Sequence, residues 1–445
     1  MSKNNKLKDT IIMGFALFAI FFGAGNLIFP PYLGVISGSK WYLAMAGFLS
    51  TDPVIPILGL IVTATVGGQG DSLGKRVHPL FSKTIAAICV LMIGTIFAVP
   101  RTASVTHTML VTQFAPGAPQ IATSVVFFGL TIYLAINPGK VIDIVGKFLT
   151  PVLVVILAIV IIRSIFMPGV IMAEPDPTVT NAYLRGFTEG YQTMDGLGCA
   201  LMAGLVYSDL VRRGYTEEKD QLGMMIGTGV VAFILLAFVY GGLTFAGATI
   251  STEFGPDADR TALILELVSR MMGGNIGKLL IGIATALACL TTSIGLTSTV
   301  ANYFEGISGG KLKYKTLVLV SAVIAFCISL FGTDKIIVFA VPVLSLVFPF
   351  IICLVFFTIF DKVIKYNATY IGAMVGVAPV AVISALALAF QIAGTADQNA
   401  GIIELNNKIN ALPFGTFAMP WIVPALACAL VFTVVAFLMD SSKSK

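Results

Sequence analysis

The chain has 445 residues, of which 57% are hydrophobic and 11% charged, with a mean hydropathy of +0.96. A soluble domain carries about 25% charged residues, so the composition excludes one and places the chain in a lipid bilayer. The net charge of +5 follows a side-to-side bias of basic residues and calls for no nucleic acid. Cys89, Cys199, Cys289, Cys327, Cys353 and Cys428 all fall in apolar runs with no C-x-x-C spacing. That argues against a disulfide framework and against zinc. His78 and His107 are the only histidines, too few for a histidine metal centre.

Lys3 to Lys8 ahead of an apolar stretch mimic a signal peptide, but the multi-span pattern that follows favours an uncleaved first helix. Apolar segments lie at about 10–35, 42–66, 84–112, 120–137, 143–166 and 182–208. Six more lie at about 222–249, 276–305, 315–332, 335–360, 367–391 and 413–439. Each is long enough to span a membrane. Twelve spans put both termini on one side. With the termini inside, the inner segments hold eighteen Lys and Arg and the outer ones eight, with Arg101 inside a span. The bias predicts cytoplasmic termini.

Span one is interrupted. Phe21-Phe22-Gly23-Ala24-Gly25-Asn26-Leu27-Ile28-Phe29-Pro30-Pro31 places two glycines, an asparagine and two prolines about halfway across. Backbone groups freed at that depth cost several kcal/mol each unless protein or a water-filled cavity surrounds them. Such a break offers N–H groups to an anion and carbonyls to a cation. The alternative is a kinked helix with glycines for close packing.

A weak internal repeat runs through the chain at an offset of roughly 170 to 190 residues. Phe148-Leu149-Thr150-Pro151-Val152-Leu153 in span five matches Phe339-Ala340-Val341-Pro342-Val343-Leu344 in span ten. The hydroxyl-rich Thr102 to Thr108 of span three matches Thr291 to Thr299 of span eight. The break in span one has its counterpart at Asp195-Gly196-Leu197-Gly198 in span six. Copies five spans apart are inverted in the membrane, the arrangement that points to a transporter binding site.

Gly23-Ala24-Gly25-Asn26 followed by Phe29-Pro30 resembles the first-helix signature of LeuT-type sodium symporters, and Leu290-Thr291-Thr292-Ser293-Ile294 resembles their eighth helix. Over its whole length the chain resembles the branched-chain amino acid:cation symporter family of bacteria. The resemblance implies an all-α integral membrane protein of about twelve helices, with a 5+5 inverted repeat and broken helices one and six. It divides the chain into a first repeat at 1–170, a second at 171–365 and two added helices at 366–445. It implies sodium-coupled import of leucine, isoleucine or valine across the bacterial cytoplasmic membrane. The match departs in span seven, which has no asparagine with which to build a second sodium site.

The residues themselves suit an amino acid. Its carboxylate is expected at the N–H groups of Ala24 and Gly25, where glycine lets a ligand approach the backbone. Its ammonium is expected at carbonyls near Ala19 to Gly23 and near Tyr191 to Met194. Gly23, Asn26 and Gly196 complete the breaks, and Phe97, Met194 and Leu296 are candidates for the apolar pocket. The resemblance implies a sodium ion at the hydroxyls of Thr291 and Thr292 and the carbonyls of Ala19, Phe22 and Ala288. Intramembrane charges are functional candidates: Arg101 as a charge partner, Glu189 or Asp195 as a proton carrier, with proton coupling as the alternative. Asp52, before Pro53, is expected near the outer end of span two. A channel would need a continuous polar stripe. An enzyme would need a catalytic set, and no Ser/His/Asp, H-E-x-x-H or P-loop spacing occurs.

Overall fold

The computed structural model describes residues 3–66, 73–137, 143, 145–166, 171–193, 195–258 and 260–443. Among them every regular element is helical. Span one is Lys3–Phe21 and Ala24–Ser37, and span two is Trp41–Thr51 and Val54–Thr65. Span three runs from Pro79 to Phe114, span four is Gln120–Ala135, and span five is Val145–Leu149 followed by Thr150–Ile165. Span six is Ala182–Gln192 and Cys199–Arg212, joined through a tight turn at Asp195–Leu197. Spans seven to ten are Glu218–Ala248, Asn275–Ile307, Tyr314–Ser329 and Thr333–Ile359. Spans eleven and twelve are Asn367–Ile392 and Ile422–Lys443. Short helices Arg260–Met272 and Ala400–Asn410 sit in the connections after spans seven and eleven. Helices occupy all twelve expected segments; among the described residues eight stretches are long and apolar enough to cross a membrane, and Gln120–Ala135 and Tyr314–Ser329 are shorter apolar helices. Spans one and six are broken where expected.

Chemistry explains each interruption. In span one the Phe22 N–H still reaches Phe18 O (2.7 Å), but the Gly23 N–H turns back to Phe21 O (2.8 Å). Gly23 itself is extended, and the second half starts at Ala24. Span two breaks at Asp52-Pro53, where proline has no N–H to give. Span three widens into a π-helical turn at Met92–Ile96, four residues before the carbonyl-orphaning Pro100.

The packing is inside-out relative to a soluble protein. Val125, Val126, Val155, Leu319, Val323, Leu430 and Val431 are exposed toward lipid, while Thr291, Ser293, Thr297 and Ser298 of span eight are fully buried. With no hydrophobic drive between helices in lipid, small residues let backbones meet. Span one lies along span seven, and span six along span two. A Cβ at Gly34 would fall 1.9 Å from Thr244 O, and one at Gly247 1.9 Å from Pro31 O. A Cβ at Gly47 would fall 1.9 Å from Tyr183 O, and one at Gly186 1.8 Å from Ala44 O. Each repeat thus supplies its broken helix to the other's second helix, as an inverted repeat of five and five spans requires.

Ion pairs tie the two membrane faces. On the side of the termini, Arg213 bonds Asp9 (2.8 Å), Asp143 (2.5 Å) and Asp209 (2.6 Å), joining the ends of spans one, five and six. Toward the opposite side, buried Glu189 of span six takes a bidentate pair from Arg260 (3.1 and 3.2 Å) and another bond from Arg185 (2.8 Å). The Arg260 guanidinium also covers the rings of Phe29 (4.7 Å) and Tyr32 (4.2 Å) on span one.

Two outcomes follow for stability, both read by thermal unfolding of the purified protein in detergent. Gly186→Ala is expected to destabilise by on the order of 3 kcal/mol, whereas Gly223→Ala, inside the span-seven helix with nothing within 4 Å of the added atom, is expected to stabilise by about 0.5–1 kcal/mol. Arg260→Ala is expected to cost about 2 kcal/mol, less than the roughly 3–5 kcal/mol of breaking a lone buried pair, because Arg185 remains on Glu189. Glu189→Gln removes the buried charge itself and costs less.

Candidate substrate and cation site

A cavity of about 500 Å³ lies at the two helix breaks, a size suited to a small molecule. Gly23, Gly25 and Asn26 of span one face it, with Arg101 of span three and Asp195 of span six. Phe97, Leu296, Leu344 and Phe348 make its apolar side. Thr333 at the start of span ten and Asn406 and Asn410 between spans eleven and twelve line its mouth. By the parity of twelve spans, it opens on the side opposite the termini.

Asn26 is the hub of the polar wall. It is 3% exposed, and its Nδ2 lies 2.5 Å from Asp195 Oδ2, 2.7 Å from the Tyr240 hydroxyl and 3.1 Å from Phe21 O. Asp52 Oδ1 is 3.4 Å away. One amide nitrogen has two hydrogens, so it cannot satisfy all four oxygens. Asp52 Oδ2 is buried and has no partner among the described residues. The expectation that Asp52 sits near the outer end of span two is corrected: the Asp52-Pro53 break holds it at the level of the other two breaks, beside Asn26. Tyr240, in the span that lacks an asparagine, was not anticipated at all.

Below this hub is a cluster of oxygens. Thr291 Oγ1 is 3.0 Å from both Ala19 O and Ala288 O. Thr292 Oγ1 is 3.3 Å from Ala19 O, 3.1 Å from Ile20 O and 3.4 Å from Phe22 O. All five residues expected here converge, and Ile20 joins them. The Gly23 N–H would serve Ala19 O in an unbroken helix, but it is committed to Phe21 O. Two hydroxyl protons therefore face four carbonyls. Such a set of neutral oxygens suits a hard monovalent cation, since it brings no buried net charge of its own. Thr292 also lines the cavity, so the cluster and the cavity share a wall.

The other expected residues divide. Phe97, Tyr191 and Leu296 line the cavity, and Tyr191 meets Phe348 edge to face at 4.4 Å. Ala24 begins the second half of span one, with its N–H among the free groups of that helix start. Gly196 is buried behind the wall, where a Cβ would touch Ile352, Ile55 and Phe348. Met194 lies outside the described residues. Arg101 and Asp195 both face the cavity, but Glu189 does not; its carboxylate is spent on Arg185 and Arg260. Missing from the sequence reading was the whole wall from spans ten to twelve, including Phe348 and Trp421. An aromatic in an apolar run looks like any lipid-facing residue, and only the Asp52-Pro53 pair carried a usable signal.

The chain is 34% identical to the branched-chain amino acid permease BraB of Bacillus subtilis, covering 100% of this chain and 99% of that one. It is 33% identical to the branched-chain amino acid permease BrnQ of the same organism, covering 96% of each. Among solved structures it resembles Mhp1, a nucleobase-cation-symport-1 family transporter with bromovinylhydantoin bound, at a TM-score of 0.58 and 13% identity over 98% of this chain and 93% of that one. It also resembles MhsT in complex with L-phenylalanine, at 0.53 and 16% over 96% and 98%. These two show the fold, the LeuT type that the sequence resembles. The sequence pattern of the family described as branched-chain amino acid transport protein matches residues 6–439, and the chain belongs to that family.

Proposed function

We propose that this membrane transporter of branched-chain amino acids imports leucine, isoleucine and valine by sodium symport with alternating access. The observation that carries the coupling ion is the oxygen cluster of Thr291 and Thr292 with Ala19, Ile20, Phe22 and Ala288, placed against the cavity wall at Thr292. A cation there would draw together the first half of span one and span eight, and bring a positive charge close to the polar wall that receives the substrate. The aliphatic side chain would rest against Phe97, Leu296 and Phe348. With the termini cytoplasmic, as the Lys and Arg bias favours, the cavity opens outward and the Arg213 network closes the inner side. Import then requires that network to part while the outer mouth closes.

A second reading has its own observation. Asp52 and Asp195 both come to the single amide nitrogen of Asn26, at 3.4 and 2.5 Å, and Asp52 Oδ2 is buried with no hydrogen-bond partner among the described residues, a setting in which a proton on one carboxyl would relieve the repulsion between the two. That pair supports proton coupling in place of sodium.

Proteoliposomes with sodium and proton gradients imposed separately decide between the two. Under sodium coupling, Thr292→Val keeps the side-chain shape and removes one oxygen. The sodium concentration for half-maximal leucine uptake is expected to rise roughly tenfold or more, as the loss of a bond to a charged partner implies. Asp52→Asn then retains sodium-driven uptake. Under proton coupling the outcomes exchange: Thr292→Val behaves as the parent, and Asp52→Asn loses accumulation driven by pH.

The energetics supply a further check. A tenfold sodium gradient is worth about 1.4 kcal/mol and one charge crossing 100 mV about 2.3 kcal/mol. One sodium per zwitterion therefore supports roughly 500-fold accumulation. Leucine uptake that does not respond to a valinomycin-imposed potential would refute the one-ion electrogenic cycle.

A further inference from the structure

The proposed function leaves unassigned the groups that hold the two charges of the substrate; this inference rests on that reading and deepens it. Arg101 and Asp195 have opposite charges and both line the cavity. Arg101 comes from span three, just after Pro100, and reaches the first turn of the second half of span one. A Cβ placed on Gly25 would lie 3.2 Å from its Nη2, so the guanidinium rests against bare backbone. Among the described residues the Arg101 guanidinium makes no hydrogen bond or ion pair; its backbone N–H alone is bonded, to Phe97 O. A guanidinium held at membrane depth without an anion is costly, and its planar fork matches a carboxylate.

The opposite charge stands beside the next residue. Asp195 Oδ2 bonds Asn26 Nδ2 at 2.5 Å, and Asp52 Oδ1 lies 3.4 Å from the same nitrogen. Here acceptors outnumber donors, since the one amide of Asn26 serves both carboxyl groups. Gly25 and Asn26 are consecutive, with Cα atoms about 3.8 Å apart. A cation facing Gly25 and an anion held by Asn26 are thus presented to one cavity at consecutive positions of span one.

We infer that Arg101 binds the α-carboxylate and Asp195 the α-ammonium, so that the cavity selects α-zwitterions by charge at both ends. Gly25 is bare because a side chain there would stand between the guanidinium and the carboxylate it receives. Asn26 holds the Asp195 carboxylate toward the cavity. The apolar wall then grades the side chain after the two charges have placed it.

The test is equilibrium binding to the purified protein at saturating sodium, with L-leucine, leucinamide and 2-hydroxy-4-methylpentanoate as probes. Leucinamide lacks the carboxylate charge, and the hydroxy acid lacks the ammonium. The wild type is expected to prefer leucine over each by roughly tenfold or more. In Arg101→Gln the preference over leucinamide falls to about one while the preference over the hydroxy acid persists; Asp195→Asn shows the reverse. Arg101→Lys, which keeps the charge without the fork, retains part of the first preference and guards against a folding defect in the glutamine variant. Equal loss of all three probes in either variant would indicate a structural role and overturn the assignment, as would a wild type that binds leucinamide as tightly as leucine. A wild type that binds no leucine overturns the proposed function itself, and this inference with it.

Discussion

Breaking a helix in the middle of a bilayer is the constraint on which everything else here depends. An unbroken span satisfies its own backbone, so it offers a ligand nothing. At Phe22 and Gly23 the chain gives up that self-sufficiency, and lipid cannot supply the missing partners. Thr291 and Thr292 reach across from span eight to the freed carbonyls of Ala19, Ile20 and Phe22. Asn26 reaches back to Phe21 O and outward to Asp195 and Tyr240. The satisfaction is incomplete on both sides of the break: oxygens outnumber protons. A site short of positive charge and donors has a physical reason to take up a cation and an ammonium group.

Two carboxylates on span six show how position decides a role. Glu189 and Asp195 are six residues apart on elements of one span, the first buried and the second facing the cavity. Glu189 falls on the regular helix Ala182–Gln192, facing Arg185 one turn earlier and Arg260 from the connection after span seven. Its charge is balanced, and it works as a strut between span six and the outer part of span one. Asp195 falls in the break, where the helical register is lost and the side chain meets Asn26, Asp52 and the cavity. The same chemical group is a fastener in one place and part of a cavity wall in the other.

The glycine contacts explain how such a broken centre is held. Span one on span seven and span six on span two meet backbone to backbone, through Gly34 and Gly247 in one pair and Gly47 and Gly186 in the other. Close approach along these seams fixes the two broken helices relative to the scaffold. The ends remain tied by discrete polar networks, Arg213 on one face and Glu189 with Arg260 on the other. Polar ties that can be exchanged at the faces, around seams that cannot open without a steric cost, are what a rocking motion about a central site requires.

Much of this was legible in the residue order. Long apolar runs determined the twelve spans, because the bilayer sets their length. Glycine, asparagine and proline in span one, and the two glycines of Asp195-Gly196-Leu197-Gly198 in span six, marked the breaks, because they weaken or interrupt the helical hydrogen-bond ladder. Even the oxygen cluster was legible, since Leu290-Thr291-Thr292-Ser293 places adjacent hydroxyls where few polar groups are tolerated. The tertiary structure decided what lies three-dimensionally opposite each of these. Nothing local in Tyr240 distinguishes it from an interfacial tyrosine, nor Phe348 or Trp421 from lipid-facing aromatics. Asp52 was expected near the outer end of span two and Glu189 as a proton carrier, and only packing made one a neighbour of Asn26 and the other a partner of two arginines. Periodicity and backbone chemistry act within a segment and can be read from it. The neighbours of a side chain come from segments some two hundred residues away, and they are set by how whole helices close on one another.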